Sequence, residues 1–121
     1  MEGKDIQGEN KIIFDINISS VWDLYGILLN KKYDFVTLEP EDEKVSVKFR
    51  KDWKVVDERF IKYPIYSEII IKAKTIANLD VWETKETQEW KVQIDVDGQK
   101  YDFLAKVVPG NFWEKLFLKL K

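Results

Sequence analysis

Hydrophobic and polar residues alternate along much of the chain, which is the spacing of β-strands with one buried face. The clearest case places Val45, Val47 and Phe49 between polar neighbours, and a turn near Lys51–Asp52 returns the chain as a hairpin partner. A second hairpin is predicted at Asp97-Gly98, a strong turn signal between two alternating segments. The segments with strand character are Lys11–Ile18, which is a strand or an extended segment laid against the domain, Asp34–Pro40, Val45–Arg50, Trp53–Phe60, Lys91–Val96, Tyr101–Val108 and Glu114–Lys121.

Apolar residues repeat every three or four positions in two other segments, as they do in an amphipathic helix. The first begins at Val21, and Ser20 with Asp23 forms a capping box in front of it. The second begins near Pro64, a residue that suits the first turn of a helix, and ends near Asn78. Its core-facing positions are Ile65, Ile69, Ala73 and Ile76, while Lys72 and Lys74 are expected to face the solvent.

The order of these elements predicts an α+β fold, with a mostly antiparallel six-stranded sheet and two main helices packed on it. A length of 121 residues fits one domain with one core. Residues 1–10 are polar and hold two of the five glycines. We therefore expect a flexible lead-in over 1–10, followed by a single domain over 11–121.

The composition argues against several classes of function. Lys and Arg number 20 against 22 for Asp and Glu, a net charge of -2, so a general nucleic-acid binder is disfavoured. The chain has no Cys and no His, which removes thiolate nucleophiles and the commonest metal ligand. We expect no cofactor, no metal site and no catalytic residue. No secretory signal is recognised and no apolar run approaches the ~20 residues that span a bilayer, so the expected compartment is the cytoplasm.

Four short strings, in order and with nearly fixed spacing, resemble those of one protein family. DFVTLEP is similar to S-D-I-H-I-E-P, and VSVKFRKDW is similar to R-V-R-F-R-I-D-G. AKTIANLDVWETKETQEW is similar to I-K-V-M-A-G-L-D-I-A-E-R-R-L-P-Q-D-G, and YDFLAKVVPGNFWEKLFLKLK to V-D-L-R-V-S-T-L-P-T-G-H-G-E-K-V-V-L-R-L-L. The family is that of the type II secretion and type IV pilus assembly ATPases. The shared residues include Glu39, Pro40, Phe49, Arg50, Asp52, Lys74, Ala77, Leu79, Asp80, Glu83, Gln88, Asp102, Pro109, Glu114 and Lys115.

The resemblance covers the PAS-like domain that precedes the RecA-like motor of these ATPases, so it implies a PAS-like fold. The chain has no G-x-x-x-x-G-K-[ST] phosphate loop, and we predict that it is no enzyme and at most the accessory domain of an ATPase. The family's arginines that point toward the nucleotide fall at Lys91 and Leu104. Leu104 cannot contact a phosphate, and Lys91 is either a weak residual phosphate contact or a solvated strand lysine.

Four tryptophans stand where the family strings carry small residues. Trp53, Trp82, Trp90 and Trp113 align with Gly, Ala, Gly and Gly. They either fill the core or shield hairpin ends, or they form an exposed surface for a protein partner, because an indole adds up to ~250 Å² of buriable surface. The second alternative makes these four residues the candidate partner-binding site.

Two sets of charged residues each have two interpretations. Glu39 and the acidic residues 41–43 suggest a metal cluster or an acid/base pair, although a solvated turn is the expectation. The lysines of the last predicted strand form either a basic stripe toward an acidic partner or a guard against edge-to-edge strand pairing. Of the two, the guard is favoured.

The resemblance implies a non-catalytic assembly module that works by contact with protein partners, and a secretion or pilus ATPase or its platform is the candidate. The sequence leaves open whether the chain is free-standing or a domain of a larger ATPase, and what its oligomeric state is. The competing function is a PAS-like sensor that holds a small ligand between sheet and helix. A closed core without a cavity beneath the second helix would count against that alternative.

Overall fold

The computed structural model describes residues 12–111 and 113–121 of the chain. The lead-in predicted over residues 1–10 lies outside this part. Among the described residues, none of the helices combines the length and the apolar character needed to cross a membrane.

Two α-helices form within the described residues, where the apolar periodicity predicted them. Helix α1 spans Val21–Lys31 and helix α2 spans Tyr63–Ile76. Ser20 and Asp23 make the predicted capping box in front of α1. Asn78, two residues past the end of α2, has a φ of 61°, a conformation that asparagine tolerates better than most residues. The helix bounds therefore follow local signals in the sequence.

Six strands of the described chain form one antiparallel sheet. They are β1 (Phe35–Pro40), β2 (Val45–Lys51), β3 (Lys54–Ile61), β4 (Gln88–Val96), β5 (Gln99–Val108) and β6 (Lys115–Leu120). Their order across the sheet is β3-β2-β1-β6-β5-β4, and every neighbouring pair is antiparallel. This confirms the predicted α+β fold and its six-stranded antiparallel sheet.

Both helices pack on the same face of the sheet. Leu24 and Leu28 of α1 and Ile69 of α2 join one buried cluster with strand residues such as Val36 and Leu118. Burial of each such side chain contributes roughly 1.5–3 kcal/mol. The other face, on which no described helix packs, is called the helix-free face. It carries Phe35, Thr37 and Glu39 of β1, Lys48 and Arg50 of β2, Lys115, Phe117 and Lys119 of β6, Leu104 and Lys106 of β5, and Lys91 of β4.

Three local features of the structure contradict an expectation from the sequence or decide between two alternatives. The β2–β3 turn consists of Asp52 and Trp53, with φ values of 54° and 68°, so Trp53 is a turn residue rather than the first residue of β3. Over residues 12–20, the described part of the segment before α1, the chain forms one bridge, between Phe14 and Phe60, and is an extended segment rather than a strand of the sheet. Lys74 is buried, against the prediction that it faces the solvent.

The guard interpretation of the last-strand lysines is wrong. Strand β6 lies between β1 and β5, so both of its sides are already paired. Lysines protect a sheet from further pairing only where they lie on an open edge. Of the two interpretations, only the basic stripe remains.

Candidate functional site

The four candidate tryptophans are all exposed, which rules out the interpretation that they fill the core and leaves the shielding of hairpin ends and a partner surface as the two alternatives. Their exposed fractions are 81% for Trp53, 90% for Trp82, 56% for Trp90 and 42% for Trp113. They do not form one patch. Trp53 lies in the β2–β3 turn, Trp90 lies on edge strand β4, and Trp82 and Trp113 lie in two loops beside α2.

Trp53 extends the helix-free face at the hairpin turn. Its ring meets the ring of Phe35 edge to face, with 6.1 Å between the ring centroids. The Lys119 ammonium lies 5.9 Å from the Trp53 ring centroid, and the Arg50 guanidinium lies 5.8 Å from that of Phe35. Cations over aromatic faces in this geometry are attracted by about 0.5–1 kcal/mol at exposed sites. The turn tryptophan is thus held beside basic residues of the sheet.

A row of cross-strand neighbours joins Trp53 to the two positions that align with the family's arginines. Phe35 pairs with Lys119, Lys119 pairs with Leu104, and Leu104 pairs with Lys91. Directly opposite residues of antiparallel strands have their Cβ atoms about 4.5–5.5 Å apart, so the row is continuous. The structure therefore brings Lys91 and Leu104 together.

The far end of this row opens into a shallow depression of about 530 Å³. Leu104 lines it together with the exposed lysines Lys91 and Lys121, and Trp90 and Glu89 complete the wall. Two ammonium groups beside an apolar residue suit a carboxylate or another small anion, with Glu89 opposing such a ligand. Lys91 is thus an exposed lysine of edge strand β4, and the weak residual phosphate contact stays a prediction.

Glu39 is the centre of an ion cluster on the helix-free face, so the expectation that it belongs to a solvated turn is wrong. Its carboxylate accepts hydrogen bonds from Thr37 at 2.9 Å and Lys48 at 3.2 Å, and Arg50 lies at 3.5 Å. Burial alone raises the pKa of Glu39, but the two hydrogen bonds and the charges of Lys48 and Arg50 outweigh burial and hold the pKa below its usual value.

Glu39→Gln should lower the free energy of unfolding by about 1–2 kcal/mol near neutral pH, because it removes a charged acceptor from three donors. The pKa of Glu39 in the folded chain lies below the unfolded value of 4.5, so this stabilisation is complete above 4.5 and is lost as the pH falls through the folded pKa. Urea denaturation at about pH 7 and about pH 3 should show the difference between parent and variant shrinking in acid.

The matched control for this test is Glu43→Gln, an exposed glutamate in the adjacent β1–β2 turn. We expect it to change stability by less than about 0.5 kcal/mol at either pH. Equal effects of the two substitutions would show that the cluster around Glu39 does not stabilise the fold.

A second concave region, called the α2 groove, lies between α2 and two loops. It has a volume of about 390 Å³. Trp82 comes from the loop that follows α2, and Trp113 comes from the loop between β5 and β6, where its ring lies 6.0 Å from that of Tyr63. The groove is lined by Ser67, Ile70, Ile71, Lys74, Val81, Trp82, Thr84, Gly110, Trp113 and Glu114.

Lys74 fastens both loops to α2 from the floor of this groove. Its ammonium lies 2.7 Å from Glu114 Oε1, donates to the Glu83 carbonyl oxygen at 2.7 Å and reaches that of Val81 at 3.4 Å. Lys74 is 1% exposed and Glu114 is 5% exposed. Gln88 also holds the loop that follows α2, since its side chain donates to the Asp80 carbonyl oxygen and accepts from the Asp80 N–H. The buried Lys74–Glu114 pair therefore joins α2 to both loops that carry Trp82 and Trp113.

The sequence contained two signals for this ion pair that the periodicity argument missed. Lys74 follows the buried Ile70 by four residues and precedes the buried Ala77 by three, so it shares their helix face. Lys74 and Glu114 are also both among the residues shared with the family strings. An isolated lysine in a helix is usually solvated, and only its distant partner explains its burial.

Comparison with known proteins supports a distant relationship to pilus assembly ATPases. The chain is similar to the type IV pilus assembly ATPase PilB of Myxococcus xanthus, with 27% identity over 93 residues. The match covers 76% of this chain and 16% of that ATPase. No protein-family model matches the chain.

Residues that the resemblance placed far apart in the sequence meet in the structure. Lys74 pairs with Glu114, and Arg50 lies beside Glu39. Each pair joins residues from two different family strings. The resembling strings therefore correspond to contacts that hold the sheet, α2 and the two loops together.

Proposed function

We propose that the chain is a non-catalytic protein-interaction module with a PAS-like fold, related to the N-terminal part of type II secretion and type IV pilus assembly ATPases. It acts by binding a protein partner, for which an assembly ATPase or its platform is the candidate. The observation that carries this proposal is the exposure of all four tryptophans that stand at small-residue positions of the family strings. Its six-stranded antiparallel sheet with helices on one face is compatible with a PAS-like domain.

An exposed tryptophan leaves apolar surface in water in the free chain, whereas burial of the same surface by a partner stabilises the complex. Each indole leaves a large apolar area in water, and tryptophan is among the residues that contribute most to protein–protein binding. Trp82 is 90% exposed and Trp53 is 81% exposed, so neither contributes much to the folded chain by itself. A partner that covers these two side chains buries their apolar surface without any unfolding of the chain.

The proposed non-catalytic role is supported by the two positions that align with the family's phosphate-directed arginines. Of the two positions that align with phosphate-directed arginines, one is Leu104 and the other is Lys91, and they are cross-strand neighbours. A leucine offers no hydrogen-bond donor from its side chain, and a lysine presents a point charge in place of the planar fork of arginine. We propose that this part of the surface has a role other than triphosphate binding.

Replacing Trp53, Trp82, Trp90 and Trp113 together with Ser should weaken association with the partner at least tenfold while the fold is retained. The partners to test are the pilus or secretion assembly ATPase and the platform protein of the same organism, by calorimetry with purified proteins. Because the four side chains are exposed, we expect the midpoint of thermal unfolding to fall by only a few °C.

The control for this variant is Trp22→Ser, which removes a 48% exposed tryptophan of α1 that lies outside the candidate set. It should leave association unchanged. The proposal fails if the parent chain binds none of these proteins, or if the fourfold variant binds as well as the parent.

Titration of the parent chain with Mg·ATP should give no measurable binding, and micromolar affinity would contradict the non-catalytic role.

A second candidate is the small-ligand sensor, with its ligand in the α2 groove between α2 and two loops rather than between sheet and helix. The groove volume of about 390 Å³ lies at the low end of the ~300–1,000 Å³ range of small-molecule sites. A small molecule that stays bound to the purified chain in native mass spectrometry, and that is lost on Ile71→Ser in the groove wall, would favour this function. Ile71 is 48% exposed, so the substitution should not unfold the chain.

A further inference from the structure

The lysines of β6 belong to a larger basic patch on the helix-free face. In β6, Lys115 and Lys119 alternate with buried leucines, and Lys121 follows the strand. The neighbouring strands contribute Lys106, which pairs with Phe117, and Lys91, which pairs with Leu104. Lys91, Lys106, Lys115, Lys119 and Lys121 are called the lysine patch.

The sign of this patch is opposite to that of the whole chain. Three carboxylates lie on the same face of β4 and β5, namely Glu89, Asp95 and Asp102. Lys100 pairs with Asp95 on the same face, so the five lysines of the patch and Lys100 together outnumber the three acids by three, a local charge of about +3, whereas the chain carries -2. Asp102 is also engaged by the Gln93 side chain, which donates to it at 3.2 Å. A local charge opposite to the net charge favours partners with a complementary local charge.

No structural role within the described residues accounts for the β6 lysines. They cannot guard an edge, because β6 is a central strand. Within the described part, Lys119 contacts the exposed ring of Trp53, and Lys121 lines the depression beside Lys91 and Leu104. Trp53 borders the patch at the β2–β3 turn. Trp90 belongs by register to the opposite face of edge strand β4, but it also lines the depression beside Lys91.

We propose that the lysine patch binds an acidic segment of a protein partner, whose carboxylates pair with the patch while Trp53 and Trp90 take its apolar side chains. The inference rests on the proposed function and names the chemistry of the partner surface. Lysines interleaved with Leu104 and Phe117 suit a peptide that alternates acidic and apolar residues. A continuous phosphate chain suits the patch less, because it also meets Glu89, Asp95 and Asp102 and the negative charge of the rest of the chain.

The experiment uses fluorescence anisotropy with two labelled probes of equal length, a ten-residue peptide that alternates Glu and Leu and ten-nucleotide poly-dT. At about 50 mM NaCl the peptide should bind the full chain, and poly-dT should bind at least tenfold more weakly. Raising NaCl to about 500 mM should weaken the peptide complex at least fivefold, because the screening length falls several-fold. No binding of the peptide, or equal or tighter binding of poly-dT, overturns the inference.

Two double variants test whether the peptide binds at the lysine patch. Lys91→Glu with Lys119→Glu reverses two charges of the patch, and Lys31→Glu with Lys72→Glu reverses two exposed lysines of the helices with the same change in net charge. Peptide affinity should fall at least tenfold for the first double variant and at most twofold for the second. Equal loss in both would show a response to net charge alone and would also overturn the inference.

The experiments distinguish failure of the acidic-segment inference from failure of the proposed protein-interaction function. If the chain binds an assembly ATPase or platform protein, but Lys91→Glu with Lys119→Glu leaves that affinity unchanged, the interaction function stands and the acidic-segment inference is wrong. If the chain binds neither protein, the proposed function falls, and the two probes still decide which anions the patch selects.

Discussion

Lys74→Met should lower the free energy of unfolding by about 3–5 kcal/mol, the largest loss that we expect from any charged residue of the described chain. The substitution leaves the buried Glu114 carboxylate without its partner and removes the donor that holds the Glu83 carbonyl oxygen. Glu114 Oε2 already lacks a hydrogen-bond partner among the described residues, so an unpaired carboxylate would have no compensation there. Urea denaturation followed by circular dichroism measures the effect.

Lys72→Met provides the matched control, since Lys72 lies two residues away on the same helix and is exposed. It should change stability by less than about 0.5 kcal/mol. Combining Lys74→Met with Glu114→Met should recover part of the loss, because a buried ion pair can be replaced by apolar side chains more cheaply than it can be broken. Equal effects at the two lysines would contradict the buried position of Lys74.

The contrast between Lys72 and Lys74 also shows where prediction from the sequence stopped. Apolar periodicity placed both lysines outside the core stripe of α2, and this was right for Lys72 only. Helix periodicity describes how a side chain is oriented about the helix axis, but it does not describe which loops cover that side. The partner that buries Lys74 lies forty residues later in the sequence, in the segment before β6.

The fold was more predictable than the site because its signals are local. The capping box at Ser20 and Asp23, the turn at Asp97-Gly98 and the alternation in β2 each depend on a few consecutive residues. The strand order depends instead on contacts between distant segments. The sequence therefore predicted the last strand correctly, but not its central position between β1 and β5.

The tryptophans illustrate the same limit at the candidate site. Their replacement of small residues marked them as unusual, but composition does not separate a core indole from an exposed one. Trp90 shows the difficulty, because it pairs with the buried Ala105 on edge strand β4 and is still 56% exposed. The face of a strand predicts burial only where a neighbouring element covers that face, and an edge strand extends beyond its cover.

Phe103→Ala should lower the free energy of unfolding by about 3–5 kcal/mol, as expected for removal of a buried aromatic side chain. Phe103 is 0% exposed and packs against Tyr25 of α1, with 4.6 Å between the ring centroids. The substitution leaves a cavity between β5 and the helix layer that the surrounding residues can fill only in part. Urea denaturation of parent and variant at the same pH measures the loss.

Leu104→Ala is the control that makes this a test of register as well as of packing. Leu104 is the next residue of β5, lies on the helix-free face and is half-buried, so we expect its removal to cost about 1 kcal/mol or less. A shift of β5 by one residue would exchange the two faces and reverse the order of the two effects. It would also move Leu104 and Lys106 away from Lys91 and Lys119, so a reversed order would remove the lysine patch from the helix-free face.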